Sequence, residues 1–526
     1  MTTSNDDSSD NPISSNGAMS RARAHPEATS RLAELLAEAS AQARARQRQV
    51  LVSVVEPANI DPLNALETLE RRAALDATLA EHAMAGRMYW TRPSDGFAIA
   101  GLGAVVTLSP AGPTRFAAVD RAWTALLEDA LVTDPSDAAP GVGPVLMGGF
   151  AFDPEGPRAA HWLGFPSALL VLPRMQVTAI GGACWVTTTI LVGPDGAPDI
   201  APAALAQLRA CAFGPTPRGS GAAAPSATYG SLTFDDVRPA TEWRALVGTA
   251  VAAIRAGRME KVVLARAVRA GAARDLDVVA MLRHLRSAYP DCRVFGCWRG
   301  TGAFVGASPE RLVRLDGKDV RASGLAGSAP RGATPDEDAA FAAALLANAK
   351  DRAEHAMVRR ALFAGLAELC DDVIAPAEPS LFTLPHVHHL HTAVRARLRA
   401  GHSLLDLVAR LHPTPAVGGA PRDAALQFIR HHEGLDRGWY AAPIGWIGRE
   451  RGELAVALRS ALVRGREAWL FAGSGVVADS DPEWEYAETM LKLRPMELAL
   501  AAALAADGAG AVAEPVSAGA GDAGAR

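Results

Sequence analysis

Cysteine is scarce in this chain, which has five cysteines among its 526 residues. Because five is an odd number, the cysteines cannot all pair with one another, and a complete disulfide framework is excluded. Their spacing also matches no metal-binding pattern, since they stand at Cys184, Cys211, Cys292, Cys297 and Cys370. This use of cysteine suits a reducing compartment, and we expect a cytoplasmic protein.

Long apolar runs and long runs of one charge are also lacking. No stretch approaches the roughly 20 apolar residues that a membrane-spanning helix needs. The first residues are polar and acidic, without the basic start and apolar stretch of a secretory signal. Basic residues are scattered among acidic ones, and the formal net charge is only -5. We therefore expect neither a membrane nor a nucleic acid as a partner.

Hydrophobic residues are abundant, at 49% of the chain, which is enough to form a large core. In the first half, short β-branched or apolar runs alternate with turn signals, a pattern that predicts β-strands. In the second half, predicted strands such as KVVLARAV alternate with helices predicted at 240–256, 277–289, 335–369 and 482–504. The mixture predicts an α+β architecture.

Composition also predicts where the chain divides. We expect a disordered N-terminal extension with a candidate helix at 29–46, and a disordered tail rich in glycine and alanine. A stretch rich in glycine, proline and serine predicts a linker between two larger parts. The predicted units are the extension at 1–47, a β-rich subdomain at 48–213, the linker at 214–229, a catalytic domain at 230–504 and the tail at 505–526.

Two pairs of acidic residues stand three positions apart on predicted helices, Asp351 with Glu354 and Glu485 with Glu488. This spacing places both carboxylates of a pair on one helix face. Lys492 follows four positions after Glu488, and spacing alone favours a solvated face with an ordinary ion pair. The alternative is a site for Mg²⁺, which prefers carboxylate and water oxygens as ligands.

Several other residues are candidates for a binding or catalytic site. Gly473 and Gly475 are predicted to form a glycine turn before the second acidic helix, where backbone N–H groups could approach an anion. Lys261 begins a predicted strand and is either solvated or, on an enclosed face, a base with a lowered pKa. Glu310 follows a Ser-Pro turn and, taken alone, is more typical of a surface carboxylate. Arg459, on another predicted strand, could bind a carboxylate or form a structural ion pair.

The segment HVHHLHT is dense in histidine, with His386, His388, His389 and His391. Their alternation is compatible with a β-strand. Neither a cysteine partner nor an HExxH motif accompanies them, so the sequence predicts no zinc site.

Eight segments, in this order, resemble the chorismate-utilising enzymes: KVVLAR, GASPERL, LAGSAPRG, AKDRAEH, LHPTPAVGG, VALRSAL, FAGSGVV and PEWEYAETMLKL. The resemblance implies the chorismate-binding fold of anthranilate synthase component I. In that fold, two α/β subdomains are built from layered sheets and helices, with the active site between the layers. The implied substrate is chorismate.

Within this family, two positions favour water over ammonia as the nucleophile. Lys261 stands where the aminating enzymes carry glutamine, and Ala326 stands where aminodeoxychorismate synthases carry a nucleophilic lysine. LHPTPAVGG is similar to the isochorismate synthases, and salicylate synthases have a different pattern there. The resemblance therefore implies an isochorismate synthase of the pyochelin type. A salicylate synthase is the alternative, and an aminating synthase is less favoured.

The resemblance also implies the cofactor and the residues that would bind it. Glu354 and Glu488 would bind Mg²⁺ directly, and Asp351 and Glu485 would support them. The implied substrate-binding residues are Gly327, Ser328, His389, Arg459, Gly473, Gly475 and Lys492.

The resemblance implies two catalytic roles as well. Lys261 would accept a proton from the water that attacks C2, and Glu310 would donate one to the C4 hydroxyl. The product would pass to a separate isochorismate-pyruvate lyase for salicylate and siderophore synthesis. No glutaminase partner is expected.

Overall fold

The structure is a computed structural model, and it describes residues 24–73, 86–133, 139–156, 158–213 and 232–505. The predicted linker at 214–229 lies outside the described residues. So do residues 1–23 of the predicted extension and the predicted tail beyond Ala505. None of the described helices is both long enough and apolar enough to span a membrane.

The α-helices are short to medium in length, and we number them in chain order. They are α1 (Ala24–Arg46), α2 (Pro62–Ala73), α3 (Arg115–Glu128), α4 (Pro202–Phe213), α5 (Ala240–Arg255), α6 (Val278–Ala288), α7 (Pro335–Ala347), α8 (Ala349–Ala367), α9 (Leu404–Leu411), α10 (Arg422–Phe428) and α11 (Pro482–Ala505). A π-helical turn, Ile429–Glu433, follows α10, and 3₁₀ turns lie at Pro93–Asp95 and Ala160–Trp162.

The strands of the first half are β1 (Val50–Pro57), β2 (Met88–Arg92), β3 (Phe97–Leu108), β4 (Leu131–Thr133), β5 (Leu146–Phe150), β6 (Ala168–Ile180) and β7 (Ala183–Val192). Those of the second half are β8 (Thr233–Asp236), β9 (Lys261–Gly271), β10 (Arg293–Arg299), β11 (Gly302–Ser308), β12 (Arg311–Asp316), β13 (Asp319–Pro330), β14 (Cys370–Ile374), β15 (Ser380–Thr383), β16 (Val387–Leu398), β17 (Gly419–Ala420), β18 (Pro443–Ile447), β19 (Arg451–Val456), β20 (Ser460–Arg464) and β21 (Glu467–Val476).

Two series of paired strands form the body of the protein. The first series runs β9, β21, β20, β11, β10, β2, β3 and β6, all antiparallel. The second runs β16, β13, β12, β19, β18, β5 and β6, also antiparallel. Both series end on β6, which pairs with β3 and also with β5 and β7. The two sheets are therefore continuous through one long strand.

The largest cluster of buried apolar side chains belongs to both series. It contains Phe295 and Phe304 from the first series together with Val313 and Leu454 from the second. Trp162 stacks on Phe471 within the same cluster, with 5.4 Å between the ring centroids. The shared core holds the faces of the two series together.

The chain passes between the two series at two neighbouring places. The first crossing, Pro309 and Glu310, joins β11 to β12, and the second, residues 457–459, joins β19 to β20. The backbone N–H of Val456 donates to the carbonyl oxygen of Glu310 over 3.1 Å. The N–H of Ala307 donates to the carbonyl oxygen of Arg459 over 3.0 Å. These hydrogen bonds hold the two crossings side by side.

Local sequence signals explain how several helices begin. Asp277 caps α6, since its side chain accepts from the N–H of Ala280. Before α11, the Asp481 carboxylate accepts from the N–H groups of Glu483 and Trp484. Pro482 then occupies the first helical turn, where proline loses no hydrogen bond.

The helix predicted at 335–369 is divided into two helices at Asn348. Asn348 has extended backbone angles, and its side chain accepts from the N–H of Asp351 and caps α8. Alanine is abundant on both sides, so helical propensity gave no signal for the break. The division begins a new helix just before Asp351 and Glu354.

The described part of the N-terminal extension contains the candidate helix. Residues Ala24–Arg46 form a helix that begins five positions before the predicted one. Leu35, Ala39 and Ala43 are buried against Val50 and Val52 of β1. The apolar spacing predicted a helix here, but the sequence did not show that β1 covers it.

The predicted division at 214–229 stays a prediction. Strands from the two sides of that segment pair directly, because β2 pairs with β10 and β5 with β18. The strands that precede and follow the segment therefore belong to the same sheets.

We predict that Gly438→Ala destabilises the fold more than Gly257→Ala. Both glycines have positive φ, +51° and +74°, so alanine costs each about 1–2 kcal/mol. A Cβ at Gly438 would lie 2.0 Å from Cε2 of Trp162, whereas Gly257 has open space around it. The clash should cost about 1–3 kcal/mol more. Urea unfolding followed by fluorescence checks this, and equal losses would contradict it.

Candidate active site

One cavity lies between the two series of strands and the N-terminal halves of α8 and α11. It is lined by eleven of the thirteen residues that the sequence singled out: Lys261, Glu310, Gly327, Ser328, Glu354, His389, Arg459, Gly473, Gly475, Glu488 and Lys492. Asp351 and Glu485 lie immediately behind this lining. The fold thus brings together residues that are up to more than 200 positions apart in the sequence.

Lys261 begins β9 and has only 1% of its side chain exposed. Its Nζ donates a hydrogen bond of 2.6 Å to Oε1 of Glu354 on α8. A Cβ at Gly475 would lie 2.6 Å from that oxygen and 2.9 Å from Cε of Lys261, so only glycine leaves room for the pair. A lysine at the start of a strand is ordinarily solvated, but Lys261 is buried.

Glu310 lies at the first crossing and is 3% exposed, so it is no surface carboxylate. Its Oε1 is buried and has no hydrogen-bond partner in the protein. Burial raises the pKa of Glu310 to about 8, although the charge of Lys261 opposes that shift. At neutral pH the side chain is therefore a protonated acid that faces the cavity.

The acidic residues of α8 and α11 form one cluster, in which Ser474 lies between the two carboxylates of α11. The Ser474 hydroxyl lies within hydrogen-bond distance of both Glu485 and Glu488. Burial and the charge of Glu488 raise the pKa of Glu485, and the single proton of the Ser474 hydroxyl can be donated to only one of the two carboxylates at a time. Burial, followed by the charge of Glu354, raises the pKa of Asp351 to about 6. The cluster holds more negative charge than its neighbours neutralise.

Besides Lys261, which pairs with Glu354, two lysines partly compensate this charge. Lys492 Nζ lies 2.9 Å from Oε1 of Glu488, and it also donates to the carbonyl oxygen of Gly473 over 3.0 Å. Lys350 Nζ lies 3.4 Å from Oε1 of Glu485. Burial would raise the pKa of Glu488, but Lys492 and the hydroxyl hydrogen bonds outweigh it and lower that pKa.

The donors of this cluster are oxygens, which suit a hard divalent cation and not a soft one. Among the residues that the structure describes, no three histidine, cysteine, aspartate or glutamate side chains surround one metal position. The carboxylates of Glu354 and Glu488 form ion pairs with lysines instead. Magnesium commonly takes only one or two protein carboxylates, so the donor set fits it.

His389 joins the two walls of the cavity. Its Nε2 accepts a hydrogen bond of 3.0 Å from Nη2 of Arg459. Because arginine can only donate, the ring proton must be on Nδ1, which lies 3.2 Å from the carbonyl oxygen of Gly327 and 3.1 Å from Oγ of Ser328. Burial and the charge of Arg459 lower the pKa of His389 to about 3. The imidazole is therefore neutral at ordinary pH.

Arg459 does not lie on a strand, as predicted, but at a bend between β19 and β20. Its φ is +48°, an uncommon value for a residue other than glycine. The sequence prediction was wrong because apolar residues on both sides resemble one continuous strand. The bend is the second crossing, and it brings the guanidinium to His389.

Gly473 and Gly475 were predicted to form a turn but lie inside β21. They pair with Ala265 and Val263 of β9. Glycine suggested a turn, whereas here it provides space, because a Cβ at Gly473 would lie 3.1 Å from the hydroxyl of Tyr440. The carbonyl oxygen of Gly473 accepts a hydrogen bond from Lys492 in the site.

Sequence reasoning missed two polar residues that line the cavity, Arg437 and Tyr440. Arg437 pairs with the buried Glu433 and donates to the carbonyl oxygen of Val263 over 2.7 Å. Tyr440 stacks on Phe471, with 5.5 Å between the ring centroids. Both lie in HEGLDRGWYAAPIGW, but spacing there gave no periodic signal that could separate cavity residues from core residues.

The other three histidines of HVHHLHT lie outside the cavity. His388 contacts Thr383 and Asp338, and His386 and His391 contact the aromatic rings of Tyr289 and Phe382. His388 and His391 on β16, and His386 just before it, therefore pack against neighbouring side chains.

The chain is similar to several known proteins. The profile of one protein family, described as chorismate binding enzyme, matches residues 36–501. The chain belongs to the chorismate-binding enzyme family. A relative from Pseudomonas aeruginosa, "Salicylate biosynthesis isochorismate synthase", is 41% identical over 88% of this chain and 92% of its own length.

Further members of the family match over most of their length. "Isochorismate synthase MenF" of Bacillus subtilis is 36% identical over 79% of this chain and 88% of its own. The solved structure of MenF, the menaquinone-specific isochorismate synthase from Escherichia coli, superposes with a TM-score of 0.68 at 24% identity, covering 90% of this chain and 99% of that one. The predicted α+β chorismate-binding fold is thereby confirmed.

We predict that His389 stays neutral between about pH 5 and 8, with its proton on Nδ1. Its lowered pKa of about 3 and the donor Arg459 both require this. Nitrogen-15 NMR of histidine-labelled protein should show one imidazole with an unprotonated Nε2 and no titration in that range. His389→Gln, which removes the signal, assigns it. A midpoint near pH 6 for that signal would contradict the prediction.

Proposed function

We propose that this protein is an isochorismate synthase, which converts chorismate into isochorismate. The observation that carries the proposal is the buried pair of Lys261 and a protonated Glu310 on one cavity, a candidate base and a candidate acid. The names of the two relatives that cover most of this chain support the same reaction. The assignment of each role below is part of the proposal.

In the proposed step, water attacks C2 of chorismate, and its proton passes to Nζ of Lys261. As the new C2–O bond forms, the ring double bonds shift and the C4–O bond breaks. Glu310 donates its proton to the departing hydroxyl, which leaves as water. One water enters and one leaves, so the net change is an isomerisation. Each positioned proton transfer contributes about 10²- to 10⁴-fold to the rate.

Lys261 must be neutral to act as a base. In the described arrangement its Nζ donates a hydrogen bond to Glu354. The amine is released when the Glu354 carboxylate turns toward another cation. In this proposal the ion pair of Lys261 and Glu354 is a resting arrangement. Glu354 would turn away from Lys261 toward a cation bound at the neighbouring acidic cluster.

Chorismate carries two carboxylates, and the cavity offers partners for both. Arg459 is buried and can present two N–H groups to one of them. Lys492 and Ser328 lie on the opposite side, beside Glu488. His389 connects the two regions through its hydrogen bonds to Arg459 and Ser328.

Mg²⁺ is the proposed cofactor, held by Glu354 and Glu488 with support from Asp351 and Glu485. When bound, the ion would offset the charge of a substrate carboxylate. Burial, followed by the charge of Glu354, raises the pKa of Asp351, and this crowding of carboxylates supports a cation here. Ser474 keeps Glu485 and Glu488 in place for it.

The remaining proposals concern the setting of the reaction. The relative named for salicylate biosynthesis supports a downstream isochorismate-pyruvate lyase that is a separate protein. Lys261 and Ala326 support water as the nucleophile, so no glutaminase partner is proposed. A cytoplasmic location fits the few cysteines. The division into subdomains at 48–213 and 230–504 is kept as a proposal about the chain's organisation.

Lys261→Ala and Glu310→Gln should each lower turnover of chorismate by at least about 10²-fold, because each removes one proton transfer. Chromatography of the products formed from chorismate and Mg²⁺ checks this. Isochorismate should accumulate with the unaltered protein, whereas fluorescent salicylate as the main product would support the alternative synthase.

The matched controls are Lys318→Ala and Glu260→Gln. Both side chains are exposed, and Glu260 is the neighbour of Lys261. These variants should retain full turnover. Normal turnover in Lys261→Ala or Glu310→Gln would remove that residue from the proposed mechanism. Aminated products in the presence of ammonia would overturn the choice of water.

Glu488→Gln should abolish Mg²⁺ binding measured by titration calorimetry, since it removes a proposed ligand charge. Glu497→Gln on the same helix is the control, because Glu497 pairs with Arg494 and lies outside the cavity. It should bind Mg²⁺ as the unaltered protein does. Equal binding by both variants would show that Glu488 is not a ligand.

A further inference from the structure

Glu453 is a buried carboxylate on β19 that does not line the cavity. Its side chain is 3% exposed. Oε1 accepts hydrogen bonds from Nε of Arg293, over 2.8 Å, and from Nε of Arg311, over 2.9 Å. Oε2 lies 3.9 Å from Nη1 of Arg314. Burial would raise the pKa of Glu453, but the arginine charges outweigh it and lower the pKa to about 2. The carboxylate is therefore ionised.

These partners come from both series of strands. Arg293 begins β10 of the first series, opposite Ser308 at the end of β11. Arg311 begins β12 of the second series. Pro309 and Glu310 are the two residues between those strand ends, so Glu453 joins the two sheets at the place where the chain passes between them.

The same cluster reaches the crossing directly. Nη1 of Arg293 donates to the carbonyl oxygen of Pro309 over 3.4 Å, and Arg311 is the next residue after Glu310. The N–H of Glu310 donates to Oγ of Ser308 over 3.2 Å, and its carbonyl accepts from Val456. The backbone on both sides of Glu310 is thus tied to strands that Glu453 connects.

The Glu310 carboxyl has little to orient it apart from this backbone. Its Oε1 has no hydrogen-bond partner in the protein. The groups that face it are Thr414, Lys261 and Lys492. Tyr440 also lies near, across the cavity wall. The direction of the side chain is consequently set mainly by the crossing to which it is attached.

A buried ion cluster is seldom retained for stability alone. Removing charges from water costs several kcal/mol per ion, and apolar residues of similar size often stabilise a core as well or better. The cluster instead connects the two sheets rigidly through directional hydrogen bonds. Joints of that kind hold a catalytic group in its reacting geometry, where a displacement of about 1 Å can lower the rate about 10²-fold.

We propose that Glu453 is a positioning residue for Glu310: through Arg293 and Arg311 it fixes the Pro309–Glu310 crossing so that the Glu310 carboxyl points into the cavity. The inference rests on the proposed function, in which Glu310 is the acid. Glu453 also compensates the positive charge of Arg311, the residue next to that acid in the chain. Without it, the uncompensated arginines would favour the ionised form of Glu310, which has no proton to donate.

The test is Glu453→Gln, which keeps the size of the side chain and removes its charge. We expect kcat to fall by about 10- to 100-fold with KM unchanged. Because Glu310 must be protonated, kcat falls as pH rises through its pKa. The alkaline limb of the pH profile should therefore move to lower pH, by about one unit. Glu453→Asp keeps the charge with a shorter reach, so it should restore the limb and only part of kcat.

Asp199→Asn provides the matched control. It breaks a second ion pair with a buried arginine, since Nη1 of Arg174 lies 2.8 Å from Oδ1 of Asp199. Neither residue lines the cavity. This variant should lose thermal stability while its kcat and its alkaline limb stay unchanged.

The outcomes separate this inference from the proposed function. An unchanged kcat and limb in Glu453→Gln, with Glu310→Gln inactive, would overturn the positioning role alone. An active Glu310→Gln would instead overturn the acid. A shifted limb in Asp199→Asn would show that the effect is general to lost ion pairs. If Glu453→Gln does not fold, Glu453→Asp decides: full kcat and an unmoved limb support only a structural role, whereas reduced kcat with an unmoved limb supports positioning.

Discussion

The two adjacent crossings between the series of strands are the constraint on which the site depends. Each crossing is short, and each carries one charged or titratable side chain, Glu310 or Arg459. The backbone hydrogen bonds from Val456 to Glu310 and from Ala307 to Arg459 keep the crossings together. A two-residue passage between sheets leaves little freedom, so side chains on it have a defined direction. A loop of ordinary length would not provide this.

Burial determines the chemistry that these side chains can perform. Burial raises the pKa of Glu310 to about 8, and burial with the nearby charge of Arg459 lowers that of His389 to about 3. The same low-polarity surroundings make charge compensation necessary for Lys261, which is paired with Glu354. An acid that keeps its proton and a histidine that stays neutral therefore both follow from the core that the two series share.

Four carboxylates lie on the helix side of the cavity together with Lys350 and Lys492, whereas Lys261 and Arg459 come from a strand and a strand crossing. Asp351 and Glu485 come from the first turns of α8 and α11, where a helix start is favourable for carboxylates, and Glu354 and Glu488 follow one turn later. Arg459 comes from a strand crossing. A dianionic substrate in such a cavity needs a cation on the helix side, which is why the proposed cofactor and the proposed substrate belong together.

The sequence by itself predicted the members of the candidate site, and the resemblance of its motifs to one family carried that prediction for Lys261, Glu310 and the two acidic pairs. It also predicted helices and strands wherever periodicity was clear, as at α6 and β9. It did not reveal the break at Asn348, the bend at Arg459, the strand that contains Gly473 and Gly475, or the buried contacts of Glu453. Those features depend on hydrogen bonds between residues that are distant in the chain. Tertiary structure alone decided them, because exposure and charge compensation come from the surroundings of a side chain and not from its spacing along the sequence.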